Sequence, residues 1–120
     1  MNLNLVEIKA FVPAKDYEQS IRFYHALGFD VLADMGNAAS LRCQSCAFML
    51  QNFYLEEHAI NTTLHLLVED AQAWFDKVSG LNLEHEFSAK VTDLSEQRWG
   101  MLEFFVVDPS GVLIRIGQQL

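Results

Sequence analysis

Basic residues are scarce in this chain: eight Lys and Arg stand against sixteen Asp and Glu, a net charge of −8 over 120 residues. Nucleic-acid affinity comes largely from Lys and Arg releasing counterions from phosphates, so no nucleic-acid partner is expected. Apolar runs are too short to span a bilayer, and no membrane partner is expected. The start, MNLNLVEIKA, lacks a basic region followed by a long apolar core and alternates like a strand, which predicts a cytoplasmic location. Cysteine is limited to Cys43 and Cys46. Their C-x-x-C has no second pair to complete a zinc site and no helix N-terminus to activate a thiolate, so it reads as two residues flanking a hairpin turn. The six glycines stand apart, which removes phosphate-loop and dinucleotide fingerprints. Ser20, Ser40, Ser79 and Ser110 have no neighbouring base or nucleophile-elbow context, and no catalytic constellation or cofactor is expected.

What the chain does have is apolar material. At 51% hydrophobic it can bury a real core, and its length fits one domain over residues 1–120. The clearest local signal is WGMLEFFVVDPSGVLIRIGQ, Trp99 to Gln118, where two apolar runs flank Asp108, Pro109, Ser110 and Gly111. Asp first, Pro second with fixed φ, and Gly last describe a β-hairpin on a type I turn closed by a bulge. A tight turn sets Arg115 opposite Phe104. The favoured one-residue bulge at Gly111 sets it opposite Phe105, on the face of Glu103, which then neutralises it from a diagonal position.

Upstream, Leu3 to Val12 reads as a strand that Pro13 stops. Asp16 with Gln19 makes a capping-box pattern, Tyr17, Ile21, Tyr24 and Leu27 follow at helical spacing, and Gly28 ends that helix. Strands are predicted over Phe29 to Ala33, Ala39 to Cys43 and Ala47 to Phe53, completing a βαβββ unit over residues 3–53. The polar segment Tyr54 to Asn61 reads as a linker. The order then begins again over residues 62–118, with a strand Thr62 to Val68, an Asp70 cap, a helix Ala71 to Ser79, and strands Leu83 to Phe87, Met101 to Val107 and Val112 to Gly117. A duplicated βαβββ unit predicts an α+β fold whose curved mixed sheet leaves a concave face for a ligand.

The segments VPAKDYEQSIRFYHALGF, FMLQNF and WGMLEFFVVDPSGVLIRIGQ resemble the vicinal oxygen chelate superfamily, in its glyoxalase/bleomycin resistance branch. Metal-dependent members place one ligand on each of four strands, and the resemblance puts those places at Lys9, Gln51, Thr63 and Arg115. Lys9 and Arg115 are cations and Gln51 is a neutral, weak donor. His65, two residues beyond Thr63, is the only rescue candidate, and a lone His in LHLLV is more often a hydrogen-bonded core residue. His25, His58 and His85 read as solvated. The resemblance therefore implies a metal-independent protein that sequesters a small molecule in an aromatic cleft, as in antibiotic resistance, and a homodimer whose first strand is exchanged between subunits. Phe11, Met49 and Phe53 share the parity of Lys9 and Gln51, and Trp99 reads equally as core or as a stacking wall. With Thr63, His65, Glu103, Phe105 and Arg115 they make the expected ligand-binding set. The acidic balance favours a cationic ligand, whereas Lys9 and Arg115 favour an anion. Two other classes stay open: a metal-dependent lyase or dioxygenase using His65 and Glu103 with help from Gln51, and a dimerisation module with a collapsed pocket.

Overall fold

Element order repeats, as the sequence predicts. In the computed structural model, which describes residues 1–120, the first module runs β1 (Phe11–Pro13), α1 (Tyr17–Leu27), β2 (Asp30–Asp34), β3 (Ala38–Cys43) and β4 (Cys46–Gln51). A one-turn helix, α2 (Glu56–Ala59), lies in the linker. The second module follows as β5 (Thr63–Leu67), α3 (Ala71–Gly80), α4 (Leu83–Phe87), β6 (Lys90–Val91), β7 (Ser95–Gln97), β8 (Met101–Val107) and β9 (Leu113–Gln119). Each module builds its own mixed sheet in the same order, β1-β4-β3-β2 in the first and β5-β9-β8 in the second, with β6 and β7 both on the far edge of β8. In each, the first strand lies parallel to the last and the remaining pairs are antiparallel. The fold is α+β with tandem βαβββ modules, carried on two separate sheets.

Local chemistry starts both principal helices. Asp16 accepts from the Gln19 N–H at 3.1 Å and Asp70 from the Ala73 N–H at 3.0 Å, each satisfying a donor that the first helical turn leaves free. Tyr24 of α1 packs edge-on against Phe48 of β4, and Phe75 of α3 against Phe104 of β8. Phe23 meets Phe87 of α4, so the helices join the inner faces of the two sheets into one core of 20 buried residues. The opposite face of each sheet is left for other work.

Two predicted strands are corrected. Leu3 to Val12 is a strand only from Phe11 onward, and Leu3, Leu5, Val6 and Ile8 stand more than 80% exposed. The parallel register of Phe11 with Met49 puts position 8 opposite Cys46, where β4 turns back into β3, so residues 1–7 have no strand of this chain to pair with. Leu83 to Phe87 is the helix α4, bounded by left-handed Asn82 and Ser88. Alternation and helical spacing both fit LEHEF, and burying Leu83 while Phe87 packs on Phe23 decides for the helix. The third strand of the second module is displaced to β6 and β7.

The β8–β9 turn also fastens the modules together. Asp108 Oδ1 accepts from the N–H groups of Ser110 at 2.8 Å and Val112 at 2.9 Å, while Oδ2 accepts from the Tyr24 hydroxyl of α1 at 2.6 Å. Ser110 Oγ accepts from the Lys15 N–H at 2.9 Å. Burial pushes the Asp108 carboxyl above its ordinary pKa, against the pull of the Tyr24 hydroxyl and the turn N–H groups. Asp108→Ala strands several buried donors and should lower the unfolding free energy in urea by about 3 kcal/mol, with Asp108→Asn losing less because its Oδ1 still serves the turn. A raised native pKa means this group favours folding at low pH, a contribution lost as pH rises through the native value; Asp108→Asn should remove that slope from the stability profile.

Candidate functional site

The register of β8 with β9 decides which side chains meet. Phe105 pairs with Arg115, Phe104 with Ile116 and Glu103 with Gly117, one residue out of step with a tight turn, as the bulge predicts, and Gly111 adopts φ 97°. Phe104, Val106, Ile114 and Ile116 face the core, so Glu103, Phe105 and Arg115 share the open face of the second sheet. Parallel pairing of His65 with Arg115 and of Thr63 with Leu113 puts His65 and Thr63 on that face too.

Glu103 is the centre of this face. Its carboxylate is fully buried, Arg115 Nη2 donates to Oε1 at 2.9 Å, and Trp99 Nε1 donates to the same oxygen at 2.9 Å. The Arg115 guanidinium lies 5.8 Å from the centre of the Trp99 ring and 5.9 Å from that of Phe105, within cation–π range. Oε2 has no hydrogen-bond partner; the His65 Nε2 approaches it at 3.8 Å, beyond hydrogen-bond reach. Trp99 is 53% exposed, which settles its reading against core packing. His65 is likewise no core residue, because the strand turns Leu64 and Leu66 inward and leaves its imidazole on the open face.

Gly117 is the member of the site that sequence reasoning missed. A Cβ there would meet Glu103 Cγ at 2.7 Å, so the missing side chain is what lets the carboxylate lie across β9. The available signal was a glycine inside an otherwise apolar strand, which marks a close approach.

The first sheet offers a second face. Phe11 pairs with Met49 and Pro13 with Gln51, so Phe11, Met49 and Gln51 share the side opposite the buried Val12, Phe48 and Leu50. Phe11 is about half exposed and Met49 nearly buried. Phe53 breaks the predicted parity, since β4 ends at Gln51 and Phe53 lies beyond it, though still 47% exposed. Lys9 belongs to the N-terminal arm, where it pairs with Glu7 at 3.3 Å. Arg42 grips the same Glu7 carboxylate at 2.6 and 2.8 Å and, with help from Lys9, holds it below its ordinary pKa. No hydrogen bond or ion pair joins these first-module residues to the Glu103 cluster, and the chain alone presents two half-sites on two sheets.

Within the chain no three His, Cys, Asp or Glu side chains converge, and the one carboxylate near His65 is engaged by the Arg115 guanidinium, whose charge would oppose a divalent cation there. What the second face can do is present aromatic edges and a neutralised ion pair to a planar partner.

Duplicated βαβββ modules, each on its own mixed sheet with the first strand parallel to the last, define the class of fold. The chain belongs to the Glyoxalase/Bleomycin resistance protein/Dioxygenase superfamily, whose profile matches residues 5–116. Among solved structures it is similar to a bleomycin-binding protein complexed with bleomycin, with TM-score 0.81, 20% identity, and coverage of 95% of this chain and 98% of that one. A bleomycin-binding protein of Streptomyces verticillus, complexed with copper(II)-bleomycin, gives 0.79 at 19% identity, covering 96% and 97%. Lactoylglutathione lyase from Agrobacterium tumefaciens gives 0.67 at 14% identity, covering 93% and 92%. No curated protein matches the chain by sequence.

Gly117→Ala should expel the Glu103 carboxylate from its seat. Overpacking of this kind lowers stability by about 1 to 3 kcal/mol, and the loss of the indole hydrogen bond should shift Trp99 fluorescence; unchanged emission with full stability would show that the strand gives way instead.

Proposed function

We propose that this protein is a metal-independent small-molecule binder that sequesters a drug-like or metabolite ligand in an aromatic cleft, and that it works as a homodimer. The carrying observation is the Arg115–Glu103 ion pair at 2.9 Å, which sets a cation at a position where the metal-dependent architecture needs a carboxylate. Trp99 and Phe105 supply one wall, and Phe11 with Met49 another. Stacking on such surfaces needs no turnover. The similarity to solved bleomycin-binding proteins supports this reading.

The half-sites and the arm support the homodimer. Glu7 and Lys9 share the parity of Phe11 with Leu3 and Leu5, and Val6 and Ile8 share that of the buried Val12, so the arm exposes apolar side chains on both parities and has no partner strand in this chain. Pairing with a second copy buries Val6 and Ile8 and sets the first-module face of one subunit against the second-module face of the other.

Calorimetric titration of chelator-stripped protein with zinc, nickel, manganese and iron(II) should give no binding, while bleomycin as a probe should bind saturably. Trp99→Ala should weaken that binding about tenfold, roughly the 1.4 kcal/mol of one aromatic contact. Tight uptake of one ion per chain, abolished in His65→Ala, would instead establish the lyase or dioxygenase alternative, for which the approach of His65 to Glu103 is the motivating geometry. Sedimentation should show a dimer, and removal of residues 1–9 should shift it toward monomer; a monomer at every concentration of the full chain rejects the shared cleft.

A further inference from the structure

The two cysteines play no part in the cleft, yet the fold sets them face to face. Cys43 and Cys46 are direct cross-strand partners at the tip of the β3–β4 hairpin, separated by Gln44 and Ser45, with Gln44 in the left-handed region at φ 57°. Partners in an antiparallel pair point to the same face, with Cα atoms about 4.5 or 5.5 Å apart. Both spacings lie inside the roughly 4.4 to 6.8 Å range that a disulfide spans. Both thiols are free; Cys46 is exposed, and Cys43 is half-buried against the core. No His, Asp or Glu joins them to make a group of three ligands, which leaves sulfur–sulfur chemistry as the use of the site.

We propose that Cys43 and Cys46 form a reversible redox pair, oxidised by a low-molecular-weight disulfide such as glutathione disulfide. The exposed Cys46 loses its proton and attacks one sulfur of the glutathione disulfide, forming a mixed disulfide and releasing one glutathione thiolate, which takes up a proton. Cys43, deprotonated in turn, attacks Cys46 Sγ, forming the intramolecular bridge and releasing the second glutathione. The two protein thiols give up two electrons and two protons, and one glutathione disulfide becomes two glutathiones, so the exchange balances. Only Gln44 and Ser45 lie between the two cysteines, so closing the ring removes little freedom from the unfolded chain and stabilises weakly. An exposed bridge of low added stability is open to reduction by the same pool. The pair lies next to Arg42, whose guanidinium holds Glu7 of the N-terminal arm, so the modified tip adjoins the arm's anchor.

This inference is independent of the ligand reading and is tested on the whole protein by intact mass and non-reducing electrophoresis after incubation with glutathione disulfide. Wild type should lose two hydrogens with no lasting adduct, and dithiothreitol should restore the original mass. Cys43→Ser should accumulate one stable glutathione adduct on Cys46, because its resolving partner is gone, while Cys46→Ser should react at least tenfold more slowly through the half-buried Cys43. A persistent glutathione adduct on wild type, covalent dimers in place of the internal bridge, or no change in mass would each overturn the assignment.

Discussion

One buried carboxylate at a turn sets the register on which the candidate site depends. Asp108 closes the β8–β9 loop by accepting two of its N–H groups and is itself held by the Tyr24 hydroxyl of the other module. With the loop fixed in its bulged form, Arg115 lies opposite Phe105 and diagonal to Glu103. Slipping the register by one residue would put the guanidinium toward the helices and an isoleucine on the open face. The same hydrogen bonds therefore join the modules, fix the hairpin and choose which side chains can meet a ligand.

Glu103 then turns that register into chemistry. A carboxylate removed from water needs a charged partner and further hydrogen bonds, and Arg115 and Trp99 supply both on Oε1. Gly117 provides the space. The arrangement also bears on the conflict between the acidic composition and the two cations predicted in the pocket. Arg115 is neutralised by Glu103, whereas Lys9 shares the Glu7 carboxylate with Arg42, which leaves one net positive charge on the N-terminal arm. The polar demand left on this face is the unpartnered Oε2, an acceptor.

Legibility in the sequence followed how local each determinant is. The DPSG hairpin, its bulge and the diagonal Arg115–Glu103 pair were readable because turn residues and strand parity lie within a few positions of one another. Both helix caps were readable for the same reason. Leu83 to Phe87 was not, since a five-residue segment with Leu and Phe at its ends satisfies two periods and only the packing of Phe87 on Phe23 chooses between them. For His65 the sequence left core and ligand-contact readings both open, because LHLLV does not reveal which face the helices cover; α3 docking on Phe104 from the opposite side leaves the imidazole on the open face. Gly117 carried a signal, a glycine in an apolar strand, whose meaning depends on a side chain in the neighbouring strand.

The N-terminal arm is the part of the chain that the two sheets leave without a partner strand. Leu3 and Leu5 fall on the parity of Phe11, Val6 and Ile8 on that of Val12, and β4 turns away at Cys46, leaving residues 1–7 without a partner strand in this chain. So many exposed apolar side chains on one short segment are unfavourable in water. The two half-sites pose the same problem, since each sheet turns an open, aromatic-bearing face away from the shared core and neither face encloses anything alone. The proposed association with a second copy would address both, giving the arm an edge to pair with and each open face an opposite wall. In that assembly the partner that completes the sheets would also complete the cleft, tying ligand capacity to concentration and folding.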